Sequence, residues 1–390
     1  VARRISVAFS NMVDPGWLAG GQYLYNLLFA IKSGGVDIET VLRLSPATPK
    51  ENYQMLDGLL DRVLEVPQSL PFWYRKLPRA LKKRFAVPRY YEERALRRGK
   101  IDAQFLFADP GRVRSIPSAM WLPDFQHLHL PELFREEDLK YREKFYPLAA
   151  RRSGLVILSS HQAFEDLKSI APDTAEKARI LNFVAHVPAE AYQVDSKAVA
   201  EHYHLPEKFF FLPNQFWFHK NHRTVFQAIA IAQKTVGEIT VVCSGGTHDF
   251  RNPAYFDSLL SEIAANGLQS NIRILGRIPR EHILPLMRQS VAVLQPSLFE
   301  GWSTSVEEVK SLGKQIILSD IPVHREQNPA DGLFFSPKDS SELAALLVDV
   351  HRKKQAGPDL QLEQSARESL DGRIALFART FYDIMAELAH

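Results

Sequence analysis

Cysteine is almost missing from this chain. Cys243 is the single thiol in 390 residues, which excludes an intramolecular disulfide framework and fits a reducing compartment. Long apolar runs are missing too, since no stretch approaches the ~20 residues that a spanning helix needs. The opening Val1-Ala-Arg-Arg-Ile-Ser-Val-Ala-Phe-Ser10 is too short in apolar residues for a signal peptide and reads as a first strand. A soluble protein of the cytoplasmic side is therefore expected. There is no Gly-x-Gly-x-x-Gly fingerprint and no Walker-type Gly-Lys-Ser/Thr, so dinucleotide and P-loop chemistry lose support. Serine hydrolysis lacks a Gly-x-Ser-x-Gly elbow. No period of 20–50 residues recurs, which argues against a solenoid.

What is present is ordinary in amount and uneven in placement. Apolar residues make up 45% and charged residues 24%, as in a soluble globular protein. Net charge is only +3. Between Pro71 and Lys100, however, eleven Lys/Arg face two Glu, a local +9, so the rest of the chain sums to −6. Leu77, Leu81 and Phe85 recur every four residues among these cations, with Trp73 and Tyr74 ahead of them. A basic amphipathic helix of this kind suits either an anionic bilayer or a charged face that packs three apolar residues inward. Nucleic acid finds no support in zinc-finger spacing, an aromatic RNA-binding signature or a long basic tract.

Strand-like and helix-like segments alternate along the first half. Strands are expected at Ile5–Phe9, Ile38–Leu44, Ala103–Phe107, Ala119–Leu122 and Leu155–Ser159. Gly16 to Gly21 reads as a flexible turn before a helix over Gln22–Lys32. The second half repeats the pattern with strands at Phe209–Leu212, Ile239–Ser244, Ile272–Leu275, Val291–Leu294 and Gln315–Ser319, after a linker near Val187–Pro206. Such alternation predicts parallel sheets covered on both faces. Length predicts two domains: residues 1–195, and residues 206–372 as an independent doubly wound unit. A terminal helix over 373–390, with Ile374, Phe377, Phe381 and Met385 on one face, is expected to pack back on the first domain.

The most informative stretch is Pro296-Ser-Leu-Phe-Glu300-Gly-Trp-Ser-Thr-Ser-Val-Glu-Glu308-Val-Lys-Ser-Leu-Gly313. An apolar strand runs into a loop carrying Glu300 and Gly301. Ser303, Thr304 and Ser305 then open a helix, whose free N–H groups suit a phosphate. Two carboxylates bracket that spot and suit sugar hydroxyls. The same residues also spell a capping box, Thr304 with Glu307 or Ser305 with Glu308, and Glu307 is the expected cap. Lys220, at the start of the helix after Pro213-Asn214-Gln215, is a candidate diphosphate ligand or a solvated basic cap. Gly276-Arg277-Ile278 ends another strand, where glycine admits close approach of a ligand. Gly20-Gly21 is a weaker phosphate candidate. Asp124, His127 and His129 have metal-like spacing but lack a further cluster, so a polar wall facing a sugar is the better functional reading. Cys243 reads as buried and inert.

Taken together, these motifs resemble the retaining family-4 glycosyltransferases of GT-B architecture, most closely from Leu212 to about Leu347. Phe-Glu300-Gly-Trp-Ser-Thr-Ser-Val-Glu-Glu308 is similar to that family's Glu-x7-Glu signature, flanked by Leu-Gly276-Arg-Ile-Pro and Ser-Leu-Gly313-Lys-Gln-Ile-Ile-Leu-Ser-Asp320. The N-terminal half is similar more loosely, through Gly20-Gly21 and Pro-Asp124-Phe-Gln-His-Leu-His-Leu-Pro-Glu132. The resemblance implies two Rossmann-like domains facing a central cleft. It implies transfer of a sugar from a nucleotide diphosphate sugar, UDP favoured over GDP, to a glycan or lipid-linked acceptor with retention, without cofactor or metal.

By position, Glu308 resembles the ribose-binding glutamate and Glu300 the one near the transferred sugar. Ser303, Thr304, Ser305 and Lys220 would meet the diphosphate, and Gly276, Arg277 and Ile278 the base. Two departures stand out. Pro123 replaces a histidine beside Asp124, leaving the first-domain role between Asp124 and His127. Asn214 or Gln215 stands where an arginine is usual, with Arg277 or Arg223 as substitutes. A GT-B epimerase, a glycan phosphorylase and a non-catalytic nucleotide-sugar binder are the rival readings.

Overall fold

The computed structural model describes residues 4–13, 18–46, 48–66, 87–107 and 115–389. Gly16 and the Leu77/Leu81/Phe85 stripe of the basic segment lie outside the described residues. The chain divides into two compact units. One comprises residues 1–125, 140–184 and 371–390, and the other 126–139 and 185–370.

The first unit is built on a seven-stranded parallel sheet ordered β3-β2-β1-β4-β5-β6-β7. Its strands are β1 (Ile5–Ser10), β2 (Ile38–Leu44), β3 (Arg62–Glu65), β4 (Ala103–Phe107), β5 (Ser118–Leu122), β6 (Leu155–Leu158) and β7 (Ala178–Ile180). Every residue of β1, β5 and β6 is buried, as a parallel sheet covered on both faces requires. Gly20 and Gly21 fall in the first turn of the helix Leu18–Ser33, not in a turn before it. Gly21 packs close to Val13 and Met55. The terminal helix runs from Leu360 to Ala389. Within the first unit Phe381 stacks on Phe9 of β1 at 5.8 Å and meets Phe105 of β4 edge-on at 5.5 Å, while Ile374, Phe377 and Met385 are buried beside it.

The second unit holds a six-stranded parallel sheet ordered β10-β9-β8-β11-β12-β13. Its strands are β8 (Phe210–Leu212), β9 (Val241–Ser244), β10 (Ile272–Gly276), β11 (Val293–Gln295), β12 (Ile316–Ser319) and β13 (Leu333–Phe335). Counted from β8, this is the 3-2-1-4-5-6 order of a doubly wound nucleotide-binding sheet. Strand alternation divides the core between the faces. Phe210, Leu212, Val241 and Cys243 pack with Val225, Ile229 and Leu347 on one side. Phe211, Val242 and Val293 pack with Val306, Val309 and Leu312 on the other.

Three strands escaped the sequence reading: β3, β7 and β13, each at the edge of its sheet. Edge strands here are short and partly exposed, with residues of β3 alternating between half-buried and exposed. In β3 (Arg-Val-Leu-Glu) and β7 (Ala-Arg-Ile) charged residues interrupt the apolar pattern, and β13 (Leu-Phe-Phe) is apolar but only three residues long. The expected linker also contains structure, since Asp195 caps a helix over Ser196–His202 through two backbone amides.

Candidate active site

The order of the second sheet reverses between β8 and β11, and ligands of doubly wound folds bind at the carboxyl ends of the strands at such a switch point. The loop after β8 supplies Lys220 and the loop after β11 supplies Glu300, whose side chains meet at 2.6 Å (Nζ to Oε1). Asn221 sets the first loop. It adopts the left-handed conformation, φ 57°, which asparagine tolerates better than most residues. Its Nδ2 donates to the carbonyls of Pro296 (3.0 Å) and Pro337 (2.8 Å). One side chain thus ties both loops together.

Beneath the ion pair lies a polar floor. Gln295, the last residue of β11 and fully buried, donates through Nε2 to Glu300 Oε1 and to Ser303 Oγ, both at 2.9 Å. Its own Oε1 accepts from Asn214 Nδ2 at 2.7 Å. Ser297 Oγ adds a third bond to Glu300 Oε1 at 2.6 Å. Burial pushes the Glu300 carboxyl up, but Lys220 and Ser297 outweigh it and hold the group below the usual carboxylate range. Glu300 is therefore an ionised acceptor at neutral pH. His324 stays neutral nearby. Burial brings it down to about 4 against the opposing pull of Glu300, and its Nδ1 lies 2.8 Å from the Ser319 carbonyl.

The helix after this loop spans Thr304–Leu312. Ser303 caps it, with Oγ accepting from the Val306 amide at 3.5 Å. Neither expected capping box forms, because the cap lies one residue earlier than Thr304. Glu307 is instead buried against Gln327 Nε2 (3.1 Å) and Lys310 Nζ (3.1 Å). Gln327 also brackets Ser303, accepting from its amide at 3.2 Å and donating to its carbonyl at 2.9 Å. Ser303 is thus occupied inside the protein. Thr304 and Ser305, half-buried at the first two helical positions, carry the amides that face outward along the helix dipole.

Glu308 is buried and forms an ion pair with Arg280, the first residue of the helix after β10. Gly276 ends β10 at φ 68°, a left-handed position that favours glycine. Arg277 extends past Gly246, against which its guanidinium lies close, and Gln215 Oε1 accepts from the Gly246 amide at 2.7 Å. Asn214 and Gln215 therefore brace the strand-end loops. Arg223 is engaged elsewhere, with Glu262 at 2.6 Å and Ser258 at 3.0 Å. Of the two proposed substitute cations, only Arg277 stays among the loops at the strand ends. Ile278 and Gly301 are half-buried in their loops.

Among the first-half candidates, Asp124 follows β5 in the first unit, 3.9 Å from Arg142. His127 is buried in the second unit with its ring edge-on to Phe134. In that unit His129 also stacks on Phe299 at 4.9 Å, next to Glu300. Arg251, with Asp249 at 3.5 Å, reaches Gln126 Oε1 at 2.8 Å and His219 Nδ1 at 3.3 Å. Among the described residues no three His, Cys, Asp or Glu gather as a metal site would need. Cys243 is fully buried, which pushes its thiol well up.

Sequence reasoning missed Gln295, Asn221, Arg280, Gln327 and Arg251. Gln295 had a usable signal: an amide closing an otherwise apolar buried strand, at the carboxyl end where ligands bind. The other four had none, because each also has a partner far off in sequence, 24 positions for Gln327 with Ser303 and 125 for Arg251 with Gln126.

Residues 196–368 match the family of glycosyl transferases group 1. No curated protein matches the chain by sequence. Among solved structures, Anabaena HepE in complex with UDP-glucose is similar over 98% of this chain and 100% of its own, at 16% identity and a TM-score of 0.71. A glycosyltransferase from Rickettsia africae is similar over 99% of both chains, at 15% identity and a TM-score of 0.69. A UDP-forming α,α-trehalose-phosphate synthase from Burkholderia xenovorans is similar over the whole of both, at 12% identity and a TM-score of 0.66. At such identities the likeness is one of fold. The chain has the GT-B fold, with two parallel-sheet α/β domains of seven and six strands. Among the described residues no helix is long and apolar enough to cross a membrane.

Proposed function

We propose that the protein is a retaining, metal-independent glycosyltransferase of family-4 type that uses a UDP-sugar. The observation that carries this reading is the Lys220–Glu300 pair at the switch point of the second sheet, beside the open helix start at Thr304 and Ser305. Lys220 and the two helix amides stabilise charge on the leaving diphosphate. Ionised Glu300 accepts hydroxyls of the sugar being transferred. Glu308 accepts the ribose hydroxyls, and Gly276, Arg277 and Ile278 hold the base. Solved complexes of HepE with UDP and with UDP-glucose support a uridine nucleotide as the donor's carrier. The acceptor hydroxyl attacks from the face that the diphosphate leaves, so no covalent enzyme carboxylate is required. Asp124 or His127 serves the acceptor.

The acceptor is a glycan or lipid-linked glycan of polysaccharide or glycoconjugate synthesis, handled on the cytoplasmic side. The +9 charge between Pro71 and Lys100 supports contact with an anionic membrane surface.

Thermal shift against UDP, GDP and their sugar conjugates tests the donor, because a bound nucleotide raises apparent stability by mass action. Stabilisation by UDP-sugars that Glu308→Ala abolishes is expected. Sugar transfer at the wild-type rate by a Lys220→Ala, Glu308→Ala double variant sinks the assignment. Conversion of a UDP-sugar with no acceptor present would favour an epimerase instead.

A further inference from the structure

Glu308 and Arg280 differ sharply in exposure although they form one ion pair. The Glu308 side chain is 3% exposed and that of Arg280 49%. A carboxylate this deeply buried is costly to leave unpartnered, and Arg280 is its ion-pair partner among the described residues. Arg280 engages Oε1 and so leaves Oε2 to a ligand. Its backbone position matters as much as its charge. It directly follows the Gly276–Pro279 turn at the end of β10, with Pro279 as the residue capping its helix. The pair therefore links the turn after β10 to the first turns of the helix after β11, 28 positions away.

We propose that Arg280 is a positioning residue for ribose recognition. It fixes the orientation of the Glu308 carboxylate and couples it to the turn that receives the base, so that the chain discriminates ribonucleotides from their deoxy forms. The inference rests on the reading of Glu308 as the ribose acceptor. It follows from how discrimination arises: a site built to bond a hydroxyl rejects the analogue lacking it only while its own polar group is held in place.

The test is calorimetric titration of the full chain with UDP and GDP and with their 2′-deoxy and 3′-deoxy forms. The wild type should bind one ribonucleotide at least about tenfold more tightly than a deoxy form. Arg280→Ala should lose about tenfold for the ribonucleotide and bind it and the deoxy form alike. Arg280→Lys should restore part of the difference, because the charge returns without the planar fork. Arg280→Met, which keeps the apolar stem, should behave as alanine does and controls for lost packing. An Arg280→Ala variant that keeps the wild-type ratio of ribonucleotide to deoxynucleotide overturns the proposal. So does one that binds the ribonucleotide more tightly, since Arg280 would then be obstructing Glu308. A wild type that binds no nucleotide, or binds ribose and deoxyribose forms equally, overturns the ribose reading of Glu308 and the proposal with it.

Discussion

Lys220 Nζ and Glu300 Oε1 stand 2.6 Å apart, joined across 80 positions by the loops that follow β8 and β11. Their side chains are 15% and 10% exposed, so neither charge is well solvated without the other. Removing Lys220 leaves Glu300 as a buried unpaired carboxylate. Lys220→Ala should destabilise the fold by about 3 kcal/mol and reduce transfer by about 10²-fold. Adding Glu300→Gln should restore most of the stability and none of the activity. Urea denaturation of both single variants and the double variant measures the coupling, and strictly additive losses would refute it.

The same carboxylate gives an acid limb. Its folded pKa lies below the ordinary 4.5, so its contribution is present above that value and is lost as pH falls through the lowered one. Stability curves of the wild type and Glu300→Gln should converge as the pH falls below 4.5 and through the lowered value. Parallel curves through that range would mean that Glu300 is not ionised in the native state.

Gln295 bonds both the Glu300 carboxylate and the helix-capping Ser303. Gln295→Leu strands an amide donor on Asn214 and removes donors from Glu300 and Ser303. A loss of about 2 kcal/mol is expected, together with a fall in kcat larger than any rise in KM. Thermal melts and steady-state kinetics separate the two effects. A variant of unchanged kcat would confine Gln295 to a structural role.

Lys314 gives a second pH signature. Burial brings its amine down to about 7 from 10.5, and Nζ donates to the carbonyls of Gly357 (2.7 Å) and Arg288 (3.0 Å). A neutral amine keeps both bonds. The unfolded chain binds the extra proton between pH 7 and 10.5, so this group adds stability as pH rises through that window. Lys314→Met should remove that rise, read as the difference between wild-type and variant denaturation curves from pH 7 to 10. An unchanged difference across the window would refute it.

Two glycines share a left-handed backbone and differ in surroundings. At Gly276 a methyl group meets open space, whereas at Gly313 it would collide with the backbone at Leu362 and Glu363. Gly276→Ala should therefore cost about 1 kcal/mol. Gly313→Ala should cost about 3 kcal/mol or more, since backbone must move. Equal melting temperatures for the two variants would contradict the packing at Gly313.

The central strands were legible because parallel strands covered on both faces are apolar throughout, as Phe210–Leu212 and Leu155–Leu158 are. Position in the motif likewise nominated Glu300, Glu308 and Lys220. Sequence by itself determined the alternation of strands and helices, the amphipathic terminal helix and the chemical types available at the strand ends. Tertiary structure decided the rest. It brought β3, β7 and β13 to the sheet edges, each paired on one side only. It also moved the cap from Thr304 to Ser303 and gave Glu307 to Gln327. Above all it chose the partners, Gln295 and Lys220 for Glu300 and Arg280 for Glu308. A buried charge is satisfied by whatever donor the sheet order carries to it, and that proximity is set by strand order rather than by distance along the chain.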